Sequence, residues 1–259
     1  MSGKARFGSL PQVLIAAVLV LAFAAAALLA QAQRRSRFDA LLRADPGRVA
    51  LQPALASTAL EIGGPAYAAH CAICHGNHGT GDRLRAAPDL TDDEHLYGTG
   101  TAQEIEQIIL YGIRSGQSKG RNLASMPAYA RPQPYQREPI PPLAPAEIDD
   151  VTQFVLSLSG STADPAAVRR GRDLYSGKGG CYDCHGSDAK GDPAIGAPDL
   201  SDALWLYGDG SAASIAQSIS YGRAGICPAF SRRMSALEAR ATAIYVASLQ
   251  HGRTTAPAP

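Results

Sequence analysis

Two stretches of this chain, Cys71-Ala72-Ile73-Cys74-His75 and Cys181-Tyr182-Asp183-Cys184-His185, set two thiols three positions apart with an imidazole directly after. That spacing suits covalent attachment of a c-type haem. The two thiols add to the porphyrin's two vinyl groups, and the turn between them brings the next side chain under the iron. Cys71, Cys74, Cys181 and Cys184 would then hold two haem c groups, with His75 and His185 as proximal ligands. A zinc site would want four ligands, and the nearby candidates His70 and His78 stand beside the first motif alone. A thioredoxin-like redox pair would normally follow a strand in a βαβ unit, and no such unit is legible here.

The sixth ligand decides what each iron can do. Met126, in Ser125-Met126-Pro127, lies in a stretch ended by proline, a suitable place to present a thioether to the first haem; the competing role of a lone methionine is core filler. A His/Met pair gives a six-coordinate iron of fairly high potential, suited to electron transfer. The corresponding place after the second motif holds Cys227, the fifth and unpaired cysteine. Three readings of it stay open. It is an axial thiolate on the second haem, lowering the potential because an anionic ligand stabilises ferric iron; or a passive small residue, with Met234 or nothing on the iron; or a thiol that bonds a partner chain. Pro88 and Pro198 can offer carbonyls to the proximal imidazoles, the usual device for fixing a ligating histidine. Tyr97, Tyr207, Trp205, Leu90 and Leu200 are candidates for haem edges or for ordinary core, and Arg114 and Arg223 for haem propionates or for a solvated face.

These residues must be positioned by a repeated element set. An offset of 110 relates Cys71 to Cys181, Pro88-Asp89-Leu90 to Pro198-Asp199-Leu200, Tyr97-Gly98 to Tyr207-Gly208 and Tyr111-Gly112 to Tyr221-Gly222. It falls to 101 between Met126-Pro127-Ala128-Tyr129 and Cys227-Pro228-Ala229-Phe230, and to 91 between Phe154-Val155-Leu156-Ser157-Leu158 and Tyr245-Val246-Ala247-Ser248-Leu249. The first copy therefore carries two insertions, at about 115–125 and in the proline-rich stretch 131–142, which belong in surface loops. Thr101-x-x-Glu104 and Ser235-x-x-Glu238 read as capping boxes, Pro145 as a first-turn proline, and Ser211 as a cap without its acidic partner. No strand pattern is evident. The expectation is an all-α chain: two tandem domains, 59–160 and 165–252, after an N-terminal membrane helix.

The chain has 259 residues, with 24 basic and 23 acidic side chains for a net charge of +1, which argues against nucleic acid as a partner. Hydrophobic residues make up 46%, enough for at least one core, but a hundred residues with three or four short helices is small and a buried macrocycle would supply what is missing. Residues 13–30 form an unbroken apolar run. It reads as an uncleaved anchor (1–34, helix about 11–32) in preference to a signal peptide cut near Ala30-Gln31-Ala32, with 35–58 as linker and 253–259 as a disordered tail. Arg34, Arg35 and Arg37 outnumber Lys4 and Arg6, against a periplasmic C-terminal part on a simple charge count, but long domains translocate largely regardless of such charges.

The order of motifs resembles a family. Cys71-Ala72-Ile73-Cys74-His75-Gly76, Ala87-Pro88-Asp89-Leu90-Thr91-Asp92 and Leu96-Tyr97-Gly98, with their second set, and Val155-Leu156-Ser157-Leu158-Ser159-Gly160 look like the dihaem subunit III (CcoP/FixP) of cbb-type cytochrome c oxidases. The likeness covers roughly 63–250. It implies tandem cytochrome c domains, periplasmic and anchored in the bacterial inner membrane. It also implies passage of electrons from a soluble cytochrome c donor toward the monohaem and catalytic subunits of a haem-copper oxidase, with no catalytic residue of its own. Two features depart from the family: its second distal ligand is methionine where this chain has Cys227, and its membrane entry is tryptophan-rich where the only Trp here is Trp205. A dihaem enzyme resembling thiosulfate dehydrogenase, with a His/Cys haem as reactive site, is the alternative.

Overall fold

The computed structural model describes residues 10–83, 85, 87–132, 140–161, 163–202 and 204–251. Lys4 and Arg6, the centre of the proline-rich insertion and the tail 253–259 lie outside them. Among the described residues there are helices and isolated bridges but no strand.

Helix α1 (Leu10–Arg43) carries the apolar run, and its side chains from Leu14 to Leu29 face outward with no protein covering them. At ~1.5 Å per residue it is longer than the ~30 Å hydrocarbon core of a bilayer, so its Arg-bearing last turns project beyond the apolar run. The expected linker 35–58 is folded. Asp45 caps a short 3-10 turn, Pro46–Leu51, through the Gly47 N–H, and Leu41 and Val49 are completely buried against Ala59, Ala102, Ala241 and Ile244. Burying two such side chains stabilises this joint by about 1.5–3 kcal/mol each. Arg240 locks it further, donating to Glu106 at 2.7 Å and to the Leu42 and Ala44 carbonyls at 3.0 and 2.9 Å, so its guanidinium caps the C-terminus of α1.

The first copy continues with α2 (Pro53–His70), α3 (Ala72–His75), α4 (Ala102–Tyr111) and α5 (Pro145–Leu158); the second with α6 (Pro165–Ser176), α7 (Tyr182–His185), α8 (Ala212–Tyr221) and α9 (Ala236–His251). Both expected capping boxes form, Thr101 with Glu104 and Ser235 with Glu238. At Ser211 the missing acid is supplied from upstream: Asp209 accepts from the Ser211 N–H at 3.0 Å and the Ser214 hydroxyl at 2.9 Å.

The packing pairs helices across the copies. The entry helix of the first copy, α2, crosses the last helix of the second, α9, and α6 crosses α5. Each crossing is made close by a glycine. A Cβ on Gly63 would collide with the Ala241 carbonyl oxygen, and one on Gly171 with that of Asp150. A reason lies in the connection: only residues 159–164 separate α5 from α6, and so short a link favours antiparallel neighbours packed on each other. The boundaries 59–160 and 165–252 thus describe sequence repeats, whereas the packed units are others. One unit is contiguous, roughly 126–223. The other is built from its two flanks, α2 to α4 and 227–251.

Candidate haem sites

Each Cys-x-x-Cys-His motif is one helical turn between an entry helix and a loop. The Cys74 N–H donates to the Cys71 carbonyl at 3.1 Å and Cys184 to Cys181 at 3.2 Å, so both thiols of a pair emerge from the same turn, and all are free. The entry helix ties itself to the motif's end: Tyr67 donates its hydroxyl to the Gly76 carbonyl at 2.8 Å, and Tyr175 to that of Gly186 at 2.6 Å. Burial raises the Tyr175 phenol to about 12, so it stays a donor. His75 Nδ1 lies 3.0 Å from the Pro88 carbonyl oxygen and His185 Nδ1 3.0 Å from that of Pro198. A carbonyl only accepts, so Nδ1 carries the proton and Nε2 keeps its lone pair for a metal. Burial lowers both imidazole pKa values, and the carbonyl bonds oppose it only in part, so the rings are held neutral, the state that ligates.

The distal residues do not sit where the sequence expectation paired them. Met126 and Arg223 exchange backbone bonds (2.9 and 3.2 Å), the Tyr129 N–H donates to Ile219 at 3.0 Å, and the Tyr129 hydroxyl donates to Gly179, two residues before Cys181, at 2.7 Å. Met126 packs in one cluster with Cys181, Leu200 and Trp205. Reciprocally, Cys227 and Ile113 exchange bonds of 2.9 and 3.1 Å, and the Phe230 N–H donates to Ile109 at 2.9 Å. The Phe230 ring lies 5.7 Å from that of His70, the neighbour of Cys71. Burial lifts the Cys227 thiol to about 11, with Cys74 as the next contributor, and Cys71 rises to about 11 through burial and then Cys227. The structure therefore sets Met126 beside the second motif and Cys227 beside the first, rather than each beside the motif of its own copy. The helix exchange carries each distal segment onto the other copy's motif. Gly112 and Gly222, at φ +74° and +70°, permit it, since a Cβ on Gly112 would collide with the Cys227 carbonyl oxygen and one on Gly222 with that of Met126.

Comparison with known proteins agrees with the repeat. A cytochrome c family model matches residues 60–159, and one for cytochrome c oxidase, cbb3-type, subunit III matches 166–246. The cbb3-type cytochrome c oxidase subunit FixP of a Bradyrhizobium species is 36% identical over 224 residues, 85% of this chain and 71% of the relative. The subunit CcoP of a Rhodobacter capsulatus strain is 36% identical over 223 residues, 83% and 70% respectively. The chain belongs to the CcoP/FixP family of cbb3-type cytochrome c oxidase subunits.

Cytochrome c domains imply covalently bound haem c, and the donor set of this CcoP/FixP chain fits that group. Four thiols stand free in two helical turns beside imidazoles with a free Nε2. Thr242 Oγ1 is a fully buried hydroxyl without a partner among the described residues, and no three His, Cys, Asp or Glu side chains there converge as a zinc site would need. The N-terminal apolar helix fits a membrane anchor.

Other expected contacts resolve differently. Arg114 does not point at open solvent: it donates to the Tyr97 hydroxyl and the Ala124 carbonyl at 2.8 Å each and to the Gly225 carbonyl at 2.6 Å, bracing the seam between the units. Arg223 lies over the Tyr207 ring at 4.6 Å. Met234, the spare candidate ligand, is buried with Ile109, Phe230, Ala239 and Ala243 as core. Sequence reasoning passed over Tyr67, Tyr175, Tyr129 and Thr242. The first two each stand shortly before the first cysteine of a motif, at nearly the repeat offset from one another, and that was the signal that could have found them.

Proposed function

We propose that the chain is the dihaem electron-entry subunit of a cbb3-type oxygen reductase, anchored by α1 with both haem units on the periplasmic side. Electrons pass from a soluble cytochrome c to the monohaem and catalytic subunits. The observation that carries this reading is the duplicated site: two thiol pairs, each followed by a neutral imidazole oriented by a proline carbonyl at 3.0 Å, with a sulfur-bearing residue held near each pair by a bridge between the copies. Bound haem c supplies a one-electron iron couple. The residues that would hold it are Cys71, Cys74, Cys181 and Cys184 as covalent attachments, His75 and His185 as imidazole ligands, and Met126 and Cys227 as sulfur donors. An iron that took both a histidine and a sulfur donor would have no open position for substrate, which suits electron transfer. Ile73 and Ile226, exposed beside Cys71, Cys74 and Cys227, rim the first site with apolar side chains suited to docking a redox partner.

The reading is tested by purifying the tagged chain from membranes in mild detergent. The expected result is co-migration with a haem-copper subunit and oxygen consumption driven by reduced soluble cytochrome c. A chain that runs alone and oxidises thiosulfate would instead be the dihaem enzyme that Cys227 leaves conceivable.

A further inference from the structure

We propose that the arginines just beyond the apolar run of α1, Arg34, Arg35, Arg37 and Arg43, bind the phosphodiester headgroups of acidic phospholipids. Their grip fixes the height at which the haem unit joined to α1 rides over the membrane. This rests on the reading above that α1 stays in the bilayer as an anchor. The ligand is lipid of the surrounding leaflet, not a soluble phosphate.

Height, charge and direction carry the assignment. Arg34 follows the last residue of the apolar run, Ala30, by four positions, so at ~1.5 Å per residue the arginine-bearing turns begin about 6 Å beyond it. The headgroup layer is about 5–8 Å deep on each side of the hydrocarbon core, so these turns lie at its level. From residue 31 to residue 48 five arginines stand against two aspartates, Asp39 and Asp45, and the Asp45 carboxylate is engaged by the Gly47 N–H. Arg34, Arg35, Arg37 and Arg43 are exposed, and none is ion-paired among the described residues. Arg34 lies over the Phe38 ring at 5.2 Å, a contact of the guanidinium face that leaves its N–H edge to donate outward. At about 100° per residue, Arg34, Arg35 and Arg37 span nearly half of the helix circumference, and Arg43 stands on the opposite side. A partner protein meets a helix from one side, whereas headgroups surround it, and a belt of cations matches the second.

A groove on α1 adds an independent observation. About 400 Å³ in volume, it runs from Leu28 and Ala32 at the membrane end to Arg35, Ser36, Asp39 and Arg43, on the side of the helix away from buried Leu41. Its size suits one small ligand. An acyl chain meets the apolar end, and the two guanidinium groups and the Ser36 hydroxyl donate to the phosphate at the other. Asp39 is the one carboxylate in the groove, one helical turn from each arginine, and the two cations outweigh it. The upper end of α1 is rigid: Leu41 is completely buried, and Arg240 bonds the Leu42 and Ala44 carbonyls. Whatever holds the arginines at headgroup level therefore holds the haem unit as well.

The test reconstitutes the full haem-loaded chain in phosphatidylcholine vesicles with a trace of spin-labelled phosphatidylglycerol or spin-labelled phosphatidylcholine. Electron paramagnetic resonance reads the motionally restricted fraction of each label. Phosphatidylglycerol is expected to associate about fivefold or more in preference to phosphatidylcholine, about the factor that a single surface arginine supplies. In R34Q/R35Q/R37Q/R43Q the two lipids should reach parity at unchanged haem content. Equal association with the unaltered chain, or a preference that survives in the variant, overturns the inference; if the surviving preference comes with loss of the oxidase subunits on purification, the belt belongs to a protein partner. Should the variant not accumulate, a salt series on the unaltered chain decides: the preference should vanish by about 1 M salt, and one that does not change overturns the inference. Recovery of the unaltered chain from the soluble fraction, cut near Ala30, would instead sink the membrane reading itself.

Discussion

Met126 and Cys227 occupy equivalent places under the repeat and differ in the sulfur they would offer iron: a neutral thioether against a thiol that would ligate as an anion. Replacing Cys227 by Met removes that difference. The variant is expected to gain a second methionine-to-iron band and to raise the lower of the two potentials, read by optical redox titration; unchanged spectra would mean that Cys227 is off the iron. Caps are a second residue-scale matter. Burial pushes the Glu104 carboxyl up, but bonds from the Thr99 and Thr101 N–H and hydroxyl groups outweigh it and hold its pKa below the usual carboxylate value. A depressed folded-state value means that its contribution is present above the unfolded pKa and is lost as pH falls through the folded one. Thr101→Ala should cost about 1 kcal/mol in a denaturant titration at neutral pH, and Glu104→Gln should cost less and less as the titration is repeated toward acid.

Among the elements, the two glycine crossings and the Arg240 clasp hold the architecture together. Gly171→Ala and Gly63→Ala drive a methyl into a facing carbonyl oxygen, and each should lower stability by about 1–3 kcal/mol or more, measured as a shifted denaturant midpoint. Arg240→Ala leaves Glu106 buried without its partner and uncaps α1, a loss of about 3 kcal/mol. The readout is faster proteolytic cleavage between α1 and the haem units at unchanged haem content. At this scale the sequence was partly legible. The motifs, both capping boxes, the proline-carbonyl partners of the histidines and the all-helical class follow from local residue types, which act within a few positions. Helix partners do not. Because α5 and α9 are copies of one helix, each carries the same signals for α2 as for α6, and the short 159–164 connection weighs in the choice. The folded joint at 35–58 was missed for a related reason: Leu41 and Val49 are isolated apolar residues whose burial depends on α9, far along the chain.

For the molecule as a whole, the exchange makes one haem unit a contiguous insertion in the other. Its ends nearly meet, since Ile113 and Cys227 are bridged and Arg114 bonds the Gly225 carbonyl. A fragment spanning 114–226 is therefore expected to fold with one six-coordinate His/Met haem, whereas one spanning 59–160 should hold haem without its sixth ligand; optical spectra of the two distinguish them. With Cys227 as a thiolate ligand, its haem is expected to have the lower potential of the two. The most direct measurement is a spectroelectrochemical titration of the full chain beside its C181A/C184A variant. Two one-electron transitions are expected in the full chain, and the higher one should be lost in the variant. Retention of the higher transition in the variant would contradict ligation across the copies, and a single transition in the unaltered chain would contradict thiolate ligation by Cys227.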